Sequence, residues 1–102
     1  MAAHLIILYP QPTEAAAFER AYRDEHVPYA GPRLTGATAV SSRKIVGPGE
    51  TPAFHFLSDV TFPDIETLQR CAQSTGGQEA LAHAASISSG GAPTVLGTVD
   101  AD

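Results

Sequence analysis

The clearest pattern of hydrophobic and polar positions lies in residues 53–62, AFHFLSDVTF. The even-numbered positions are mostly apolar: Phe54, Phe56, Ser58, Val60 and Phe62. The odd-numbered positions are mixed: His55, Leu57, Asp59 and Thr61. Because successive side chains of a β-strand point to opposite faces, this alternation predicts a strand with one core face and one partly polar face.

The first part of the chain predicts a strand followed by a helix. Residues 4–9, HLIILY, are an apolar, β-favouring run closed by two prolines. A helix is expected over residues 14–26, with Thr13 as its N-cap and three alanines near its start. Pro28 disfavours helical geometry in the residue before it, so we expect the helix to end at His26.

The remaining elements follow from weaker signals. Residues 37–46 are weakly strand-like and precede a turn, GPGETP. A second helix is expected to start at Pro63 and Asp64, to be interrupted over residues 74–77, and to resume over residues 78–87. The segment APTVLGTV predicts the last strand, with Gly97 as its weak point.

This order of elements is βαββαβ, which predicts an α+β, ferredoxin-like sandwich in a single domain of residues 1–102. Its four-stranded antiparallel sheet would carry the helices on one face. The first strand is apolar on both faces, since residues 5–8 are Leu, Ile, Ile and Leu. One layer of helices cannot cover both faces, so we expect a second copy to cover the bare one, giving a homodimer.

The amino-acid composition makes some classes of binding partner less plausible than others. Six Lys and Arg against eleven Asp and Glu give a formal charge of −5, which disfavours nucleic-acid binding. No apolar run approaches the roughly 20 residues that span a bilayer, and no signal peptide is recognisable, so no membrane association and a cytoplasmic location are expected. Cys71 is the single cysteine, and we expect it to fill space in a helix.

The best candidate for chemistry is His26. Phe18, Tyr22 and His26 are spaced four residues apart, so a helix would align two aromatic rings and an imidazole along one stripe. A histidine titrates near neutrality and could act as a general acid or base. On the residues alone, the favoured interpretation is that it bonds the free carbonyls of a helix C-terminus, and the catalytic role is the alternative.

The other polar candidates lie on the predicted third strand. His55 and Asp59 could place polar groups in a pocket, or could simply be solvated at a dimer interface. Ser58 interrupts the phenylalanine-rich face and could reach a ligand or bond the backbone. His26, His55 and Asp59 together would suit non-haem iron, but their spacing does not require a metal and none is predicted. His4 and His83 are expected to be peripheral.

The motif Phe18-x3-Tyr22-x3-His26-x-Pro28, with the preceding strand and the strand order, resembles the EthD family of the dimeric α+β-barrel superfamily. The resemblance covers nearly the whole chain. It implies homodimers in which two sheets close a barrel, with a pocket between sheet and helices in each subunit. Tyr22 stands where many relatives carry tryptophan, and Tyr29, at the expected pocket rim, where an aliphatic residue is commoner.

Relatives in this family and its sister families include a protein encoded beside an ether-degrading oxygenase system, dehydratases of aromatic polyketides and cofactor-free monooxygenases. The resemblance therefore implies an apolar pocket, lined by Phe18, Tyr22, Phe54 and Phe56, that binds a small hydrophobic or aromatic molecule. His26 would transfer a proton during oxidation, dehydration or isomerisation, with Tyr22 orienting the substrate.

Whether the protein is an enzyme stays open on the sequence. It could instead be an accessory or carrier protein for an oxygenase encoded elsewhere, or a dimer with a vestigial cavity. No phosphate loop, dinucleotide fingerprint or nucleophile elbow occurs in the chain, and no cofactor is expected.

Overall fold

The structure, a computed structural model, describes residues 1–101. Its strands are β1 (Ala3–Pro10), β2 (Ala39–Lys44), β3 (Phe54–Phe62) and β4 (Thr94–Val99). Its α-helical segments are α1 (Ala15–Ala21), α2 (Val27–Ala30), α3 (Ile65–Gln73) and α4 (Thr75–Ser86). A π-helical turn, Tyr22–His26, joins α1 to α2, and a 3-10 turn, Gly31–Arg33, follows α2.

The strands form one antiparallel sheet in the order β2-β3-β1-β4, and the helices pack on one of its faces. The predicted ferredoxin-like α+β fold is therefore confirmed. The alternation in β3 is also confirmed, because Phe56, Ser58, Val60 and Phe62 are buried while their neighbours are only half-buried. No helix within residues 1–101 is long and apolar enough to cross a membrane.

The core between sheet and helices has two parts. One contains Ala3, Leu5, Val60, Phe62, Leu68 and Cys71. The other is aromatic and contains Ile7, Tyr9, Phe18, Tyr22, Phe56 and Ala84. Cys71 is a free, buried thiol, and burial raises its pKa, which agrees with a space-filling role.

The first helical arm differs from the prediction. Glu14, and not Thr13, is the N-cap residue, and it makes no side-chain capping bond. The arm does not end at His26, because the π-helical turn carries it past Pro28 into α2. An α-helical proline would clash with the carbonyl four residues before it. Here the Val27 N–H donates to the carbonyl of Tyr22, five residues back, and the wider turn accommodates the ring.

The second helical arm breaks at Ser74, near the predicted interruption. Ser74 has an extended backbone, its hydroxyl donates to the Cys71 carbonyl at 2.6 Å and its oxygen accepts from the Gly77 N–H at 3.0 Å. It thus ends α3 and caps α4. The helix resumes at Thr75, so the expectation that residues 75–77 are non-helical is wrong; the capping serine lets two glycines enter the first turn.

The pairing of β1 with β3 slips by one residue near its end. Tyr9 lies opposite Phe56, but Pro10 lies opposite Phe54, so His55 has no partner residue on β1. This is a β-bulge, which redirects the extra side chain. His55 reaches Glu19 on α1, with its Nε2 2.9 Å from Oε2, and so does not share a face with Asp59 as the alternation predicted. The side chain of Asp59 bonds His4 on the bare face of the sheet.

Gly77, in the first turn of α4, and Gly31, in the 3-10 turn, differ in their surroundings. This difference gives a test of the packing at Ser74. A Cβ on Gly77 would overlap the Cys71 carbonyl, whereas a Cβ on Gly31 would meet nothing within 4 Å. We expect Gly77→Ala to lower the free energy of unfolding by about 1 to 3 kcal/mol. Gly31→Ala adds a methyl group in open space but before Pro32 in a helical conformation, so it should lower the free energy of unfolding by less, about 1 kcal/mol or below. Urea titrations of both variants would show equal midpoints if the helix break were wrongly placed.

Candidate functional site

A cavity of about 60 Å³ lies between the sheet and the first helical arm. Its wall is mostly apolar and includes Leu5, Ile7, Leu34, Val60, Ala80 and Leu81. The polar groups that reach it come from Tyr22, His26 and Ser58. An apolar wall and a few converging polar groups are typical of a site for a small organic molecule.

The π-helical turn places two of these groups. Tyr22 begins the turn and His26 ends it, and both are only 5% exposed. Their ring centroids are 5.6 Å apart, and the Phe18 ring lies 6.2 Å from that of Tyr22. The predicted stripe of three rings is therefore present. The rings share one side of the arm even though the turn is wider than an α-helical one.

A chain of three hydroxyl groups crosses the sheet face beside the cavity. The Tyr22 hydroxyl donates to Ser58 Oγ at 3.1 Å and lies 2.6 Å from Ser42 Oγ. Since the phenol has one proton, Ser42 donates to Tyr22. Within residues 1–101, the proton of the Ser58 hydroxyl has no acceptor, and this serine is 3% exposed. Ser58 is thus a buried donor available to an oxygen atom in the cavity.

His26 is paired with a second histidine from α4. The Nδ1 atoms of His26 and His83 are 2.9 Å apart, and the two rings are nearly parallel, at 9°. The expectation that His83 is peripheral is wrong, because α4 packs against the helical arm and brings it to His26. The only local signal was its place beside the small residues Ala80 and Ala84, which allow close helix packing.

His83 is itself covered from the outside. The Tyr29 ring stacks on it with centroids 4.5 Å apart, and the Arg33 guanidinium lies 3.7 Å above the centre of the Tyr29 ring. Arg33 also donates to the backbone carbonyl of Tyr29 at 2.8 Å. Tyr29 therefore supports His83 and is not among the cavity residues.

The electrostatics of the site keep His26 neutral. Burial, with a smaller contribution from His83, lowers the pKa of His26 to about 4. At neutral pH the imidazole is uncharged. The 2.9 Å contact between two Nδ1 atoms then requires that one of them carries a proton and the other accepts it.

The other sequence candidates lie outside the cavity. Phe18 and Phe56 belong to the aromatic core behind Tyr22, and Phe54 is half-buried at the start of β3. None of these three rings lines this cavity; Phe18 and Phe56 pack against the Tyr22 ring, with centroids 6.2 and 4.7 Å from it. His55 bonds Glu19 near Lys44, and Asp59 bonds His4 through the sheet face opposite the cavity.

His4 lies on the sheet face opposite the cavity, away from the candidate site. Its two ring nitrogens lie 2.8 Å from carboxylate oxygens of Asp59 and Asp100, and these bonds raise its pKa. The three residues tie β4 to the middle of the bare face. Within residues 1–101, no three histidine, cysteine or carboxylate side chains converge in a way that could hold a metal ion, and His26, His55 and Asp59 are separated.

Comparisons with known proteins place the chain among structures of the same fold. No protein-family model and no curated protein matches it. An EthD family protein from Bacillus halodurans C-125 is similar over 99% of this chain and 100% of its own, with 25% identity and a TM-score of 0.86. This likeness confirms the resemblance to the EthD family that the motif around His26 indicated.

Two more distant structures share the fold. A dimeric ferredoxin-like protein from Jannaschia sp. CCS1 is 18% identical, with a TM-score of 0.65 over 97% of this chain and 98% of its own. SnoaB, a cofactor-independent oxygenase from Streptomyces nogalater, is 10% identical, with a TM-score of 0.66 over 99% of this chain and 94% of its own. At these identities the likeness establishes the fold alone.

The lowered pKa of His26 predicts a pH dependence of stability. Between pH 6.5 and about 4 the unfolded chain binds a proton at residue 26 that the folded chain does not. The free energy of unfolding should therefore fall as the pH drops through this window, by about 2 kcal/mol after allowance for solvent screening. His26→Gln should flatten the curve between these values. An NMR titration of the His26 ring with a midpoint near 6.5 would contradict the assignment.

Proposed function

We propose that this protein binds a small, mostly apolar organic molecule bearing a carbonyl or phenolic oxygen, and that His26 moves a proton to or from it. The step would serve oxidative degradation or modification of an organic compound and would need no bound cofactor. The observation that carries the proposal is the pairing of one uncharged imidazole with one free hydroxyl donor, from Ser58, in an otherwise apolar cavity.

The geometry suits proton abstraction next to an oxygen. The Ser58 hydroxyl, held by Tyr22, can donate to the ligand oxygen and stabilise negative charge that develops there. The Nε2 atom of His26 has no partner within residues 1–101 and can accept the proton. Enolate and phenolate formation is the first step common to oxidation by dioxygen, isomerisation and dehydration, so these reaction types share the same residues.

The volume of the cavity limits the ligand. The cavity volume of about 60 Å³ can hold roughly four water molecules. This volume suits the oxygen-bearing end of a ligand and not a whole large molecule. Val27 and Val40 are 42% and 50% exposed beside the cavity, so its open side has an apolar rim. We infer that the remainder of a larger hydrophobic or aromatic ligand would lie against this rim.

A second function, as an accessory or carrier protein for an oxygenase system, is favoured by one observation. An imidazole whose pKa is lowered to about 4 is a weak base at neutral pH. If it does not abstract a proton, it still offers a hydrogen bond that holds the ligand. The two functions predict different responses to replacement of His26.

The test uses acetophenone, a small ketone whose methyl protons exchange with D₂O when an enolate forms. We expect the wild-type protein to accelerate this exchange and His26→Gln to slow it about 100-fold at unchanged pH. Exchange is followed by proton NMR, and ketone affinity by calorimetry. His55→Gln is the matched control, since His55 bonds Glu19 and does not line the cavity. Binding without any acceleration by the wild type would favour the carrier function and contradict proton abstraction.

We also propose that the protein is a homodimer in which the bare sheet faces pack together. Ile6, Leu8, Leu57 and Leu96 bring apolar side chains to this face, and Leu96 is 45% exposed. An apolar face of this kind is typical of an interface. Dimeric proteins among the structures of the same fold support the proposal.

Replacing Leu96 tests the dimer. Leu96→Asp would bury an unpaired carboxylate between the sheets, so the dissociation constant should rise at least tenfold. Val46→Asp is the control, because Val46 is 85% exposed in the turn after β2. Native mass spectrometry over a dilution series reports the subunit number of each protein. A wild-type monomer at micromolar concentration, or equal dissociation of both variants, would contradict this interface.

A further inference from the structure

His83 is the residue in the site whose presence the proposed function does not explain. Its Nδ1 atom is 2.9 Å from the Nδ1 atom of His26, with the rings at 9° to one another. Two neutral imidazoles in this arrangement share a single proton on the line between them. If His26 holds it, His26 Nε2 is bare and accepts; if His83 holds it, His26 Nε2 carries a hydrogen and donates.

His26 and His83 together connect the cavity with the protein surface. His26 is 5% exposed and lines the cavity, whereas His83 is half-buried. Tyr29 stacks on the His83 ring, and Arg33 covers Tyr29 while its Nε lies 3.4 Å from Glu79 Oε1. These contacts fix the plane of His83 and so hold its Nδ1 atom on His26. The charged groups of this stack are Arg33, over the Tyr29 ring, and its ion-pair partner Glu79.

We propose that His83 is a positioning residue that relays protons between His26 and solvent, and so sets whether His26 donates or accepts in the cavity. This inference rests on the proposed function of the same cavity. In this proposal, the stacked Tyr29 ring and Arg33 guanidinium hold His83 in the orientation that the relay needs. It also explains why a buried imidazole is paired with a second imidazole and not with a carboxylate, which would hold one tautomer permanently.

The relay is balanced at each step. A ligand O–H or C–H bond breaks and its proton forms a bond to His26 Nε2, while the electron pair stays on the ligand. At the same time the His26 Nδ1–H bond breaks and the proton passes to His83 Nδ1. His83 then gives the hydrogen on its Nε2 to water. Both rings are neutral at the start and at the end, and the net result is one proton moved from the cavity to solvent.

This arrangement removes the weakness of His26 as a base. Burial penalises the charged form of the ring, which is why its pKa lies near 4. A relay does not require a lasting imidazolium in the apolar cavity, because the incoming proton is matched by an outgoing one. The reverse sequence delivers a proton to the ligand, so one pair of histidines serves as acid or base.

Nitrogen-15 NMR of the histidine rings tests the relay in the intact protein with two probes. Phenol can donate to His26 Nε2, whereas acetophenone can only accept from it. In the wild type the Ser58 hydroxyl can donate to the ketone oxygen, so the acetophenone measurement uses Ser58→Ala, in which His26 Nε2 is the remaining donor. We expect His83 to carry hydrogen on Nε2 with phenol bound, and on Nδ1 in Ser58→Ala with acetophenone bound. Since His83 does not line the cavity, a change of its tautomer reports the shared proton and not direct contact. An unchanged His83 spectrum with both probes bound would overturn the relay.

The variant His83→Gln distinguishes a proton-relay role of His83 from a purely structural one. The amide can still bond His26 Nδ1 and hold its ring, but it cannot pass a proton on. We expect acetophenone affinity to stay within twofold of the wild type while methyl exchange slows at least tenfold, and His55→Gln to change neither. Exchange at the wild-type rate in His83→Gln would overturn the relay while leaving the role of His26 intact.

Failure of the proposed function would be seen separately. If neither probe binds, the cavity function fails, and the ligand-free spectrum alone decides the pairing of the two histidines. One bare Nδ1 atom and one protonated Nδ1 atom, joined by a coupling across the hydrogen bond, would support the shared proton. Hydrogen on Nε2 of both rings would overturn it.

Discussion

The site depends on one hydrogen bond, from the Val27 N–H to the carbonyl of Tyr22 five residues earlier. This bond widens the helical arm by one residue and lets Pro28 remain within it. An α-helical continuation would clash with the proline ring, and an early end would release the arm before it reached α4. The widened turn therefore both keeps His26 under the arm and extends the arm far enough to bring Tyr29 over His83.

The consequence of this geometry is a cavity that is apolar in bulk but polar at one end. Tyr22 and His26 begin and end the turn, so they project toward the sheet together, and Ser58 meets them from β3. The burial that lowers the pKa of His26 is the same burial that strengthens a hydrogen bond from Ser58 to a ligand oxygen. Desolvation thus weakens His26 as a base and strengthens the hydrogen bond that a ligand oxygen could accept from Ser58.

Much of the fold could be predicted because its signals are local. Three features could be recognised from residues close together in the sequence. They are the alternation in β3, the helix break at Ser74 and the four-residue spacing from Phe18 to His26. The bulge at His55 could not be predicted, since a one-residue slip depends on how β1 and β3 meet at their ends. His83 was missed for the same reason: it is 57 residues from its partner, and only the packing of α4 brings the two rings together.

The opposite face of the sheet shows how differently histidine can be used in one small domain. His4 bonds two carboxylates, so both of its nitrogens donate and its pKa is raised. His26 is buried in an apolar setting beside another imidazole; burial lowers its pKa, with a smaller contribution from His83. A histidine between two fixed carboxylates has one arrangement of protons, whereas a pair of neutral imidazoles has two, with the shared hydrogen on one ring or on the other. The same side chain thus ties the ends of the chain together on one face of the sheet and supplies the uncharged group of the cavity on the other.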